Sequence, residues 1–172
     1  MVKVVLVGYM GSGKSSVGKL LASKLSIPFY DLDVVIEDSE QQSITNLFEL
    51  KGEIYFRKLE NKILQQILNK DETFVLSLGG GTPCYYNNYE LFRQEEIVSF
   101  YLKATPTKLV ERLQDQKKSR PLLASLNKDE LLDYVNKHLF DRSFYYHQVN
   151  HVIAIDENTQ EQIINEIIFQ LG

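Results

Sequence analysis

Short unbroken apolar runs alternate with stretches of helical spacing along this chain. Val2 to Val7 is rich in valine and ends at Gly8, the pattern of a central parallel strand buried on both faces. Similar runs recur at Ile27 to Leu32, Phe74 to Leu78, Ile97 to Leu102 and His151 to Ile155. Between the first two, Lys14 to Leu25 places Val17, Leu20, Leu21 and Leu25 on one helical face, and Pro28 stops the pattern. Further helices are expected near residues 34–39, 44–50, 53–69, 88–95, 106–114, 128–146 and 159–170. Strands alternating with helices predict an α/β sandwich with five parallel strands. No Pro/Gly/Ser-rich linker, repeat or low-complexity tract divides the sequence, so residues 1–172 read as one domain.

Composition narrows the class of partner. The 19 Lys+Arg against 23 Asp+Glu leave a net charge of -4, so the electrostatic footprint of nucleic-acid or anionic-membrane binding is missing and small-molecule partners are expected. No stretch approaches the roughly 20 apolar residues of a bilayer span, and the opening MVKVVLVGYMG lacks signal-peptide form. One cysteine, Cys84, forms no internal disulfide, which makes a reducing cytoplasm the expected compartment. No heptad seam is legible, and a monomer is expected.

Chemistry concentrates where strands end. Gly8-Tyr-Met-Gly11-Ser12-Gly13-Lys14-Ser15 matches G-x-x-x-x-G-K-[ST], after a buried strand and at a helix start. Backbone amides of Gly11, Ser12, Gly13 and the following Lys14, Ser15 and Ser16 can face phosphate oxygens there. Lys14 reaches the β/γ-phosphates, and Ser15 offers a hydroxyl to Mg²⁺. Asp31-Leu-Asp33 closes the second predicted strand, and alternation sends both carboxylates to one side at the sheet's carboxyl edge. One of the two suits the hydrated metal and the other an attacking hydroxyl; helix capping by Asp33 is the alternative. Arg57 and Glu60, three apart on a helix, form either a braced anion-binding arginine or a surface ion pair. Gly79, Gly80 and Gly81 end the third strand and allow close approach of a ligand to backbone amides.

The polar segment Gln114 to Asn127 reads as a mobile loop, and its Lys117-Lys118-Ser-Arg120-Pro121 either swings a cation onto a transferring phosphoryl group or is merely solvated. Arg142 lies late in a long helical pattern, with Tyr145 and Tyr146 beside it as expected packing residues. His138, His147 and His151 lack metal-ligand spacing and are assigned to surface or packing, and Cys84 reads as an inert thiol near the glycine run.

Taken in order, GYMGSGKS at 8–15, DLD at 31–33, FRKLE at 56–60, GGG at 79–81, RPLL at 120–123 and then Arg142 with Tyr145 resemble the shikimate kinase family along the whole chain. The resemblance implies a nucleoside-monophosphate-kinase-like P-loop sandwich with strand order 2-3-1-4-5, a helical substrate-binding region at about 33–60 and a mobile lid at about 114–126. It also implies transfer of the ATP γ-phosphoryl group to the 3-hydroxyl of shikimate, with Mg²⁺ required, within aromatic amino-acid biosynthesis. In that scheme Asp33 holds the shikimate hydroxyls, Arg57 and Arg142 its carboxylate, and Gly79 to Gly81 line it, while Arg120 comes from the lid. Phe144 stands where many members have proline, Asp156 to Thr159 lacks the arginine some place after the last strand, and Arg112 is the candidate to lie against the base. The rivals are a gluconate- or nucleotide-kinase-like enzyme and a nucleotide-binding module without turnover.

Overall fold

A computed structural model describes residues 2–115, 123 and 125–172. The elements, in chain order, are β1 (Lys3–Val7), α1 (Lys14–Leu25), β2 (Phe29–Asp31), α2 (Leu32–Glu40), α3 (Ile44–Leu68), β3 (Phe74–Ser77), β4 (Ile97–Lys103), α4 (Pro106–Asp115), α5 (Lys128–Tyr146), β5 (His151–Ala154) and α6 (Gln160–Leu171). The strands form one five-stranded sheet in the order β2-β3-β1-β4-β5, every pairing parallel. Five parallel strands and the 2-3-1-4-5 order are both as expected. Every residue of β1 is buried. Successive strand side chains point to opposite faces, so helices must cover both sides of the sheet's centre. α1 packs against β3 and α6, α4 against α5, and α2 against α3.

This order positions the site. β1 lies between β3 and β4, with Val5 in register with Leu76 on one side and Ser99 on the other. The loops leaving β1, β2 and β3 therefore emerge side by side at the carboxyl edge, on the strand-order reversal where open α/β sheets bind ligands.

Local chemistry accounts for most boundaries. β2 is shorter than its apolar run, because Pro28 precedes it and Asp31 caps α2 by accepting a hydrogen bond from the Asp33 N–H at 3.2 Å. The two helices expected at 44–50 and 53–69 form one element broken at Gly52, whose φ of 81° and ψ of 168° are non-helical. The expected helix at 88–95 is a 3₁₀ segment at Asn88–Arg93, entered through a left-handed Asn87 that supplies no side-chain cap. α5 and α6 each open on a complete capping box, Asn127 with Glu130 and Thr159 with Gln162. The expected loop at 114–126 falls largely on residues outside the described set, Arg120 among them.

Candidate active site

The phosphate motif occupies the turn from β1 into α1. Gly11 and Gly13 take φ of 82° and 91°, and Gly13 opens α1 with no side-chain cap, so an incoming anion can meet the helix's first N–H groups. Lys14, only 8% exposed, curls back so that Nζ donates to the carbonyls of Gly8 at 2.8 Å and Tyr9 at 3.1 Å. Its charge thus sits inside the curve of the loop. Ser15 Oγ donates to Asp31 Oδ2 at 2.5 Å, joining the loop to the end of β2.

Asp33 corrects the strand-alternation expectation. The chain leaves the strand after Asp31, and Asp33 lies in the first turn of α2; the capping residue is Asp31. The two carboxylates still face a common space. Burial first, then the charges of Asp31 and Glu60, push Asp33 up to about 6, and Lys14 opposes the shift.

The three glycines after β3 are explained by side chains rather than by backbone conformation, since none of them has a positive φ. A Cβ on Gly79 would stand 2.9 Å from Asp33 Oδ1, one on Gly80 3.4 Å from Arg142 Nη1, and one on Gly81 2.7 Å from Arg57 Nη2. Gly79 and Gly81 make room for side chains from α2 and α3, while at Gly80 a Cβ would meet the Arg142 side chain of α5 at ordinary contact distance.

Arg57 belongs to a buried network, so its pairing with Glu60 is not a surface ion pair. Its Nη1 donates to Glu60 Oε2 at 2.8 Å, and the Glu60 side chain is 1% exposed. Thr82 Oγ1 donates to the other Glu60 oxygen at 2.6 Å, Asn88 Nδ2 to the Thr82 carbonyl at 2.9 Å, and Asn61 Nδ2 to Asn88 Oδ1 at 2.6 Å. Tyr85 covers the guanidinium, with its ring centre 4.1 Å from Cζ. Thr82 and Asn88 had no signal beyond following the glycine run.

A cleft of about 570 Å³ runs between these groups. Residues 10–17, Asp31, Asp33 and residues 77–80 border one part of it; Arg112, Asn158 and Gln160 border the other. Arg112 Nη1 donates to the carbonyls of Gly11 and Ser12, both at 3.2 Å. Arg57, Gly81 and Arg142 do not border that volume; they stand against the glycine run at its far end. His138 does more than pack, since its Nδ1 lies 3.0 Å from the Tyr9 hydroxyl. Burial pushes the Cys84 thiol up to about 11, in keeping with an inert role. Among the described residues no group of three or more His, Cys, Asp or Glu gathers as a metal site.

A family model described as shikimate kinase matches residues 10–172. The chain belongs to the shikimate kinase family. It is 47% identical over 167 residues to the shikimate kinase of Flavobacterium psychrophilum, covering 97% of each chain. The crystal structure of the Bacteroides thetaiotaomicron shikimate kinase superposes with a TM-score of 0.91 at 34% identity, over 99% of this chain and 98% of that one. The Acinetobacter baumannii shikimate kinase, solved in complex with shikimate, matches with a TM-score of 0.86 at 28% identity, over 99% of this chain and 93% of that one. The family and fold that the motif series implied are therefore borne out. Against the shikimate kinase pattern the late segment departs at Phe144, yet α5 continues unbroken to Tyr146.

Proposed function

We propose that this chain is a shikimate kinase, transferring the γ-phosphoryl group of ATP to the 3-hydroxyl of shikimate to give shikimate 3-phosphate and ADP. One observation carries the acceptor assignment: an acid and two guanidiniums, from three helices, abut three successive glycines beside the loop that holds Lys14. Arg57 Nε–H is buried without a hydrogen-bond partner, its nearest carboxylate oxygen being Glu53 Oε1 at an ion-pair distance of 3.5 Å, and an acceptor carboxylate would offer it a closer one.

In this reading Gly11, Ser12, Gly13, Lys14, Ser15 and Ser16 hold the triphosphate, and Arg57, Arg142 and the glycines hold shikimate. Arg112 lies against the base. The Ser15 hydroxyl and the Asp31 carboxylate, already in contact, are hard oxygen donors suited to Mg²⁺, which takes few protein ligands and keeps several waters. When bound, the metal neutralises charge on the β- and γ-phosphate oxygens. Asp33 accepts a hydrogen bond from the 3-hydroxyl and aims its oxygen at the γ-phosphorus. As that O–P bond forms and the bond to the ADP oxygen breaks, the hydroxyl proton passes to the Asp33 carboxylate. Lys14 opposes the charge that develops on the phosphoryl oxygens. Arg120, in the proposed lid at about 114–126, adds a second cation; about 33–60 forms the acceptor region. A monomer in the cytoplasm fits this reading, and among the described residues no helix is long and apolar enough to cross a membrane.

The test is an acceptor screen with ATP and Mg²⁺. ADP release should depend on shikimate, with gluconate, quinate and nucleoside monophosphates far weaker, and should stop when EDTA replaces the metal. ATP binding with no acceptor-dependent turnover would identify a nucleotide-binding module instead.

Gly81→Ala probes the acceptor end without touching the phosphates. The new methyl group meets the flexible tip of Arg57, so the fold survives and the guanidinium moves. The shikimate KM should rise about tenfold, the scale of a weakened charged hydrogen bond, with the ATP KM unchanged. Equal changes in both constants would remove Arg57 from the acceptor site.

A further inference from the structure

His138, Arg142 and Tyr146 are spaced four apart on α5 and form one stripe facing both substrate loops. His138 meets the Tyr9 hydroxyl of the phosphate loop, and the Arg142 guanidinium stands 5.5 Å from the Tyr9 ring centre. Tyr146 reaches the other loop, its hydroxyl donating to the Gly80 carbonyl at 2.6 Å.

Packing alone does not account for Tyr146. The residue is 0% exposed, with its ring tilted against Tyr101 at 5.1 Å, and a phenylalanine would fill that space equally well. A phenol this deep needs a hydrogen-bond partner, and its single proton is committed to Gly80. The phenol oxygen then only accepts, and Arg142, one turn back on the same face of α5, brings its Nη1 to 3.4 Å from the Cβ position of the same Gly80. Burial holds the phenol far above its ordinary pKa, so this donor–acceptor arrangement persists across the working range of pH.

We propose that Tyr146 is a positioning residue for the acceptor site: its hydroxyl ties the middle glycine of the acceptor loop to Arg142 and holds loop and guanidinium in one arrangement. The Arg142 fork has five N–H donors, and anchoring it at Tyr146 and over Tyr9 leaves the others a fixed direction toward a carboxylate. The proposal rests on the reading of Arg142 as an acceptor ligand.

The experiment compares Tyr146→Phe, Arg142→Ala and the double variant by steady-state kinetics with each substrate varied. Tyr146→Phe should raise the shikimate KM about tenfold, the upper range for one net hydrogen bond, and leave kcat and the ATP KM within about twofold. The double variant should be no worse for shikimate than Arg142→Ala, because the hydroxyl acts through the guanidinium. An unchanged shikimate KM in Tyr146→Phe, an equal rise in both KM values, or a further rise on top of Arg142→Ala each overturns the positioning role. If Arg142→Ala raises the shikimate KM and Tyr146→Phe does not, only the role of Tyr146 falls. If Arg142→Ala itself leaves it unchanged, the acceptor reading of Arg142 falls and takes the proposal with it.

Discussion

Asp33→Asn is expected to lower kcat by about 10²- to 10³-fold, the range for loss of a positioned acid–base group, while ATP binding persists and the protein becomes harder to melt. The two effects share a cause. Burial and the neighbouring charges of Asp31 and Glu60 make the ionised carboxylate unfavourable in the folded state, raising its pKa from 3.8 to about 6. A folded-state pKa above the unfolded one means the folded protein binds the proton more tightly, so stability falls as pH rises through that window and stays low above it. At neutral pH the penalty is about 2 to 3 kcal/mol, and an uncharged amide of the same shape removes much of it. For a chain of this size that corresponds to a rise in Tm of about 5 °C. Activity runs the other way. Turnover needs the ionised form, so wild-type kcat/KM for shikimate should fall as pH drops through about 6. Calorimetry and a pH–rate profile check both halves, and unchanged turnover in Asp33→Asn would defeat the assigned role.

Arg57→Ala is expected to raise the shikimate KM about 100-fold, as for loss of a charged bidentate contact, with the ATP KM little changed. It should also lower Tm, because the buried Glu60 carboxylate would keep the Thr82 hydroxyl but lose its cation. Stability and affinity are separable here. The pair Arg57→Met with Glu60→Gln removes both charges, so it should recover most of the lost Tm while the shikimate KM stays high. If the pair recovers the KM as well, the guanidinium is a structural group only.

Legibility in the sequence tracked how local each signal was. The phosphate loop is contiguous and sits between a buried strand and a helix, so its residues and chemistry were readable directly. The break in α3 was readable at Gly52, and the capping of α5 and α6 follows from their first residues. Asp33 was misjudged in geometry because an apolar run cannot reveal where a strand gives way to a helix that its own last residue caps. The glycine run was recognised as a place of close approach, but what approaches is side chains 46, 24 and 62 positions away in sequence, counted from Gly79 to Asp33, Gly81 to Arg57 and Gly80 to Arg142. Spacing carries no information on such encounters; family resemblance supplied them. Tyr146 was assigned to packing, although its place four residues after Arg142 put both on one helical face.

The cramped seats of Gly79 and Gly81 have a genetic consequence. Any single-base missense change in a glycine codon encodes a residue with a Cβ, and at these two positions that atom lands within 2.9 Å of Asp33 or 2.7 Å of Arg57. Random drift therefore has no cost-free amino-acid exit at either codon, and a saturation library selected for growth without aromatic supplements should be enriched in glycine at both.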